Sequence, residues 1–248
     1  MTTHIEVSSQ HRKAARLFGI FFILTFLSYG LGSALIQSIV GEPDFLSAAH
    51  SNQSTIVIGA VLMAIIHTFT NISLPVIMLP ILTPFNKRLA FGYLAAAIAA
   101  TIVLVIGAIF LLLLIPLSES FVAAATVPAP YFETVGHLLK SGGIYAYYIG
   151  MTLWSLGGLM FCVVLYQSKL IPRAMSVWGI IGYFVLAFGS ISELFEHNDM
   201  VEILSVIPGG LFEITLSVWL IVKGFNSTHR VINKQRLSGY RMLAKNDS

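Results

Sequence analysis

Lysine and arginine in this 248-residue chain fall into four clusters separated by long apolar stretches. The clusters are Arg12, Lys13 and Arg16; Lys87 and Arg88; Lys169 and Arg173; and Lys223 with the residues beyond it. Between one cluster and the next lie two apolar stretches joined by an acidic gap. A lipid bilayer imposes this pattern. Its hydrocarbon core, about 30 Å thick, takes about 20 mostly apolar residues per helix, and basic residues collect at the cytoplasmic ends of spans. The expectation is an all-α bundle of six transmembrane helices with both termini cytoplasmic. All but one of the 14 basic residues then lie inside, Lys140 being the exception. Glu42, Asp44, Glu119, Glu133, Glu196, Asp199 and Glu202 lie outside.

The pattern divides the chain into a short cytoplasmic tail over 1–13, a membrane domain over 14–225, and a basic cytoplasmic tail over 226–248. The spans are expected at about 14–40, 54–82, 89–117, 143–166, 174–195 and 200–225. A cleaved signal peptide does not fit the start, because the first apolar run is too long and Ala34-Leu35-Ile36-Gln37 is a poor cleavage site. Hydrophobic residues make up 56% of the chain and charged ones 10%, against roughly a quarter charged in soluble domains, which leaves no soluble catalytic module. The net charge of +3 reflects the cytoplasmic basic clusters, not a nucleic-acid surface. A single cysteine, Cys162, excludes an intrachain disulfide and reads as a small core residue.

Several local features carry structural expectations. Pro75 and Pro80 should kink span two, and Ala96 and Ala100 should let span three approach a neighbour closely. After Pro130, the apolar residues Phe132, Val135, Leu138 and Leu139 recur at helical spacing, which predicts a short amphipathic helix at the outer interface between spans three and four. Tyr145, Tyr147 and Tyr148 suggest an outer aromatic belt. Pro172 suits the first turn of span five. Pro208-Gly209-Gly210 predicts a break or kink in the outer third of span six.

Ionisable groups at mid-membrane depth are costly and therefore mark candidate sites. His67 lies about 20 Å in from the outer end of span two, and Glu213 about 16–20 Å in from that of span six, at 1.5 Å per residue. Their matched depth predicts a hydrogen-bonded or water-bridged pair facing the bundle interior, with Asn71 one turn beyond His67. The helix break at Pro208-Gly209-Gly210 would free backbone groups beside it, as in transporter binding sites; helix-to-helix glue is the competing reading. Glu193, near the end of span five, reads as solvated rim. No metal helix, nucleophile elbow or phosphate loop occurs, so no catalytic residue, metal or cofactor is assigned. Trp154, Trp178 and Trp219 read as packing or interface residues.

The run Tyr166-Gln167-Ser168-Lys169-Leu170-Ile171-Pro172-Arg173-Ala174-Met175-Ser176-Val177-Trp178-Gly179-Ile180-Ile181-Gly182 is more specific than generic membrane sequence. Together with Glu213, Trp219-Leu220-Ile221-Val222-Lys223-Gly224-Phe225, Arg16-Leu17-Phe18-Gly19 and Asn86-Lys87-Arg88-Leu89-Ala90, it resembles the bacterial membrane family catalogued as domain of unknown function 4386. The resemblance covers nearly the whole chain and implies a six-helix protein of the bacterial inner membrane with no established activity.

The leading functional expectation is a non-enzymatic membrane protein that binds or moves a small hydrophobic ligand within the bundle, with membrane lipids as its surroundings. A regulatory partner subunit acting through helix faces and tail is the alternative, and an intramembrane enzyme the third. A polar cavity reaching His67 and Glu213 would favour the first; a filled bundle with an exposed small-residue stripe would favour the second.

Overall fold

Every apolar stretch becomes a helix, since lipid offers the backbone no other partner than itself. The computed structural model describes residues 2–124 and 129–226, and most of the basic tail expected at 226–248 lies outside them. In chain order the elements are α1 (Thr2–Val40), α2 (Phe45–Ser51), α3 (Gln53–Val61), a single π-turn (Leu62–Ile66), α4 (His67–Leu82), α5 (Lys87–Leu112), α6 (Leu114–Ala123), α7 (Ala129–Ser168), α8 (Arg173–Ser192) and α9 (Asp199–Val222). Among the described residues, six helical segments are long and apolar enough to cross a membrane. Their outward faces carry large apolar side chains, among them Leu31, Ile102, Phe184 and Phe188. Exposed apolar surface on this scale is tolerated against lipid and not against water. The chain is a multi-pass membrane protein.

Polar side chains at the connections explain where helices start. Asn86 accepts from the backbone of Leu89 at the head of α5, Asp44 from Ser47 at α2, and Asn198 from Met200 and Val201 at α9. Each satisfies a donor that the first helical turn leaves free. Pro172 is the residue that caps α8, one position before the first turn.

The bundle has two ends of different character. At one, called here the terminal end, the basic loops meet. Asn86 donates to the Gln167 side chain at 3.4 Å, and Asn226 donates through its backbone to Leu170 O at 2.8 Å and through its side chain to Lys169 O at 3.1 Å. Much of the sequence run from Tyr166 to Gly182 is accounted for here: Lys169 takes a left-handed conformation (φ 53°) to turn the chain, Arg173 lies 4.9 Å from the Tyr166 ring centroid, and Trp178 donates to Pro208 O. At the other, far end sit α2, α6 and the start of α7.

The far end departs from expectation in one element. No separate helix follows Pro130; the segment is the first part of α7, which runs unbroken from Ala129 to Ser168. Phe132 is buried there, and the Phe45 ring of α2 packs where Gly136 has no side chain. Packing against α2 and α6 gives this segment a protein surface in place of the membrane interface, so nothing ends the helix. The expected aromatic belt is likewise redistributed. Tyr145 stays exposed, but Tyr148 is buried and Tyr147 stacks on Tyr29.

Small residues set the closest helix crossings, as expected for association in lipid. Gly157 of α7 faces Ala96 of α5, and Gly150 faces the Ala100 carbonyl. Gly32 of α1 and Gly59 of α3 face each other, with a Cβ on Gly59 falling 2.8 Å from Gly32 O.

Candidate functional site

The π-turn adds one residue to the helix ahead of His67, whose N–H bonds Leu62 O five positions back. π-turns shift the register of the following face and recur at functional sites. Here the register beyond it turns His67, Thr70, Asn71 and Leu74 inward, all buried. His67 Nδ1 lies 3.3 Å from Thr25 O, and its ring stands edge-on to Tyr29 at 5.0 Å. A carbonyl accepts only, so this contact makes Nδ1 the protonated nitrogen; Nε2 has no partner. Asn71 donates to Thr101 Oγ1 at 2.8 Å, and Thr101 in turn donates to Ala97 O. Its Oδ1 is left without a partner. α4 continues through Pro75 and Pro80 without interruption.

Glu213 is buried elsewhere, among α7, α8 and α9. Its Oε1 accepts from Trp154 Nε1 at 3.0 Å and from Tyr183 OH at 2.5 Å. Tyr93, Phe161, Cys162 and Phe212 close the surroundings. Both candidates do face the bundle interior. The direct hydrogen bond expected between them is not formed, because each has found other partners. Depth along two helices gives equal height, not equal azimuth; α4 packs on α1 and α5, whereas α9 packs on α1 and α8. Trp154 is thus more than a packing residue, and Tyr183 was not foreseen. Spacing offers no signal for either, since the two donors come from different helices.

The expected helix break is absent as well. α9 runs continuously through Pro208, Gly209 and Gly210. The three residues make a crossing instead: a Cβ on Gly182 of α8 would fall 2.9 Å from Gly209 Cα, and Pro208 O accepts the Trp178 indole N–H at 3.1 Å. The Trp178 indole ties α8 to α9 at this point, while the donor that Pro208 lacks is a single missing rung in an otherwise continuous helix.

Glu193 is also not solvated rim. Its side chain is 1% exposed, bonded through Oε2 to His197 Nδ1 at 2.7 Å, and it accepts from the Asn198 backbone. It closes the α8–α9 connection into a compact turn.

That turn borders a cavity of about 810 Å³ at the far end of the bundle, between α1, α5 and α7. The volume falls in the range of small-molecule sites, roughly 300–1,000 Å³. Tyr29 and Met63 line it, the former being the residue whose ring touches His67. His67, Asn71 and Glu213 do not line it, so the cavity expected to reach the two ionisable residues stops at Tyr29. Among the described residues no group of three or more histidines, cysteines or carboxylates is placed to hold a metal ion.

No curated protein and no solved structure matches the chain. One family model does, described as "Domain of unknown function (DUF4386)" and matching residues 17–224, which takes in every helix named above from the body of α1 to the end of α9. The chain therefore belongs to the DUF4386 family.

Proposed function

We propose that this protein binds a small molecule in the far-end cavity, as a receptor or carrier in a bacterial cytoplasmic membrane, with both termini and the Lys87 and Lys169 loops cytoplasmic and the cavity open to the outside. One observation carries the ligand reading: a cavity of about 810 Å³ whose lining includes Tyr29, the ring that covers buried His67. A partner subunit working through helix faces predicts a filled bundle, and the cavity argues against that. An intramembrane enzyme would need a reacting group beside Glu213, whose nearest partners are an indole and a phenol already bonded to it.

Gly30 makes a direct test. It lines the cavity, and a Cβ built on it meets nothing within 4 Å. Gly30→Trp should fill the cavity without displacing a neighbour. Native mass spectrometry of protein released from its own membranes should find a non-lipid adduct on the wild type that is absent from the plugged variant. Finding no such adduct, or the same adduct on both, would remove the ligand reading.

A further inference from the structure

Serine and threonine hydroxyls in this bundle mostly bond back to the carbonyl three or four residues earlier, as Thr25, Thr70, Thr101, Ser155 and Ser217 do. Hydroxyls so engaged offer little to a ligand. The cavity wall differs. Tyr29, Ser33 and Gln37 recur every fourth residue on α1 and all line the cavity, a stripe about 12 Å long at 1.5 Å per residue. None of their three side chains has a hydrogen-bond partner among the described residues. The α5 wall contributes Gly107 and Leu111, and the α7 wall is mixed, with Ile144 beside Ser141, Tyr145 and Tyr148. The α1 edge of the cavity is therefore lined with unused donors and acceptors while the α5 side is apolar.

The cavity also holds an uncompensated charge. Glu193 is covered and bonded to His197. Lys140, at the outermost part of the cavity, donates to Val40 O at 2.6 Å and lies 4.5 Å from the Phe45 ring centroid, with no ion pair among the described residues. Capping the last carbonyl of α1 explains one of its three N–H groups; two remain. The deep end is closed by the Tyr29–Tyr147 stack at 5.9 Å.

Resting on the cavity reading above, we infer that the ligand class is a facially amphipathic organic anion: an elongated molecule with its carboxylate or other acidic group at Lys140, hydrogen-bonding groups along the edge facing Tyr29, Ser33 and Gln37, and an apolar face towards Gly107 and Leu111 of α5. A pure hydrocarbon chain would leave the polar stripe desolvated and unpaired, which costs binding. A cation would meet Lys140, while the carboxylate that lines the cavity, Glu193, is covered and bonded to His197.

Three probes separate these features. Cholate carries a carboxylate and hydroxyls along one face; its methyl ester keeps the face and loses the charge; laurate keeps the charge and loses the hydroxylated face. Equilibrium dialysis of each against the full chain in phosphatidylcholine nanodiscs, with empty nanodiscs as blank, gives the affinities. Cholate should bind saturably, one per chain, and roughly tenfold tighter than either comparison probe, as expected for one charge-assisted hydrogen bond or a comparable set of neutral ones. Lys140→Met should reduce cholate to the level of its ester while leaving the ester unchanged, which also shows the variant is folded. Ser33→Ala with Gln37→Leu should bring cholate down towards laurate. Gly30→Trp should abolish all three. Equal binding of cholate and ester in the wild type overturns the anion assignment, and equal binding of cholate and laurate overturns the polar edge, in both cases leaving the cavity reading intact. Failure of cholate to bind at all overturns the inference, while the adduct measurement on Gly30→Trp still decides the cavity reading separately.

Discussion

The terminal half of this bundle and the α1 wall of the far-end cavity use polar side chains in opposite ways. In the terminal half, Glu213 is met by Trp154 and Tyr183, Trp178 by Pro208 O, and the chain ends by Leu170 and Lys169. Polar groups there join helices. Along the cavity wall of α1, Tyr29, Ser33 and Gln37 border an open volume and make no side-chain hydrogen bonds among the described residues, although Glu193 and Lys140 at the same end are bonded. The same residue types thus act as glue where helices close on one another and as an unoccupied lining where α1 stands apart from α5 and α7. Polarity inside a membrane domain marks function only together with space.

The largest test of this contrast is all-or-none. If the cavity end faces outward, single cysteines placed beside Asp44 should react with an impermeant thiol reagent on intact cells, and cysteines beside Arg88 or Arg173 should not; the one native thiol, Cys162, is buried. The reverse pattern would turn the cavity to the cytoplasm.

Next in size is the Glu213 centre. Trp154→Phe combined with Tyr183→Phe strips the carboxyl of both donors and should cost about 3 kcal/mol, since a buried acceptor loses its partners while staying buried. Within this set the losses should be strongly non-additive with Glu213→Ala, whereas Glu213→Ala and His67→Ala should add to within about 0.5 kcal/mol, the behaviour of uncoupled sites. Denaturation midpoints in detergent give all the values. Coupling between His67 and Glu213 would mean that the halves communicate through the core.

Glycines sharpen the comparison further. Gly182→Ala places a Cβ 2.9 Å from Gly209 Cα, against backbone that has no flexible end to swing away, and should cost about 1–3 kcal/mol. Gly30→Ala, facing open space on the same kind of helix, should be neutral or stabilising by up to about 1 kcal/mol. Equal destabilisation at both sites would show that the far half is filled, contrary to the cavity. The order of the two effects is as informative as their size.

Much of the architecture was legible beforehand, for a physical reason that can be named residue by residue. Long apolar runs between Arg16 and Asp44, or between Arg88 and Glu119, admit only helices in lipid. The inward placement of His67 and Glu213 followed from the cost of leaving them in hydrocarbon. The close approach expected at Ala96 and Ala100 was met by Gly157 and Gly150 of α7, whereas other expectations failed where a distant neighbour overrode a local rule. Pro208-Gly209-Gly210 reads as a break by local rules, and the packing of Gly182 and Trp178 turns it into a crossing. Glu193 reads as rim by depth, and the backbone of Asn198 and the ring of His197 enclose it.

Composition, charge segregation and apolar length, all local quantities, determined that this chain has six helices suited to a membrane and that its basic clusters share one end. Which helix lies beside which was decided only by the tertiary structure, because azimuth around a helix axis and the fit of small residues such as Gly32, Gly59, Gly182 and Gly209 depend on surfaces distant in sequence. From that choice come the partners of Glu213, the separation of His67 from it, and the open volume beside Tyr29.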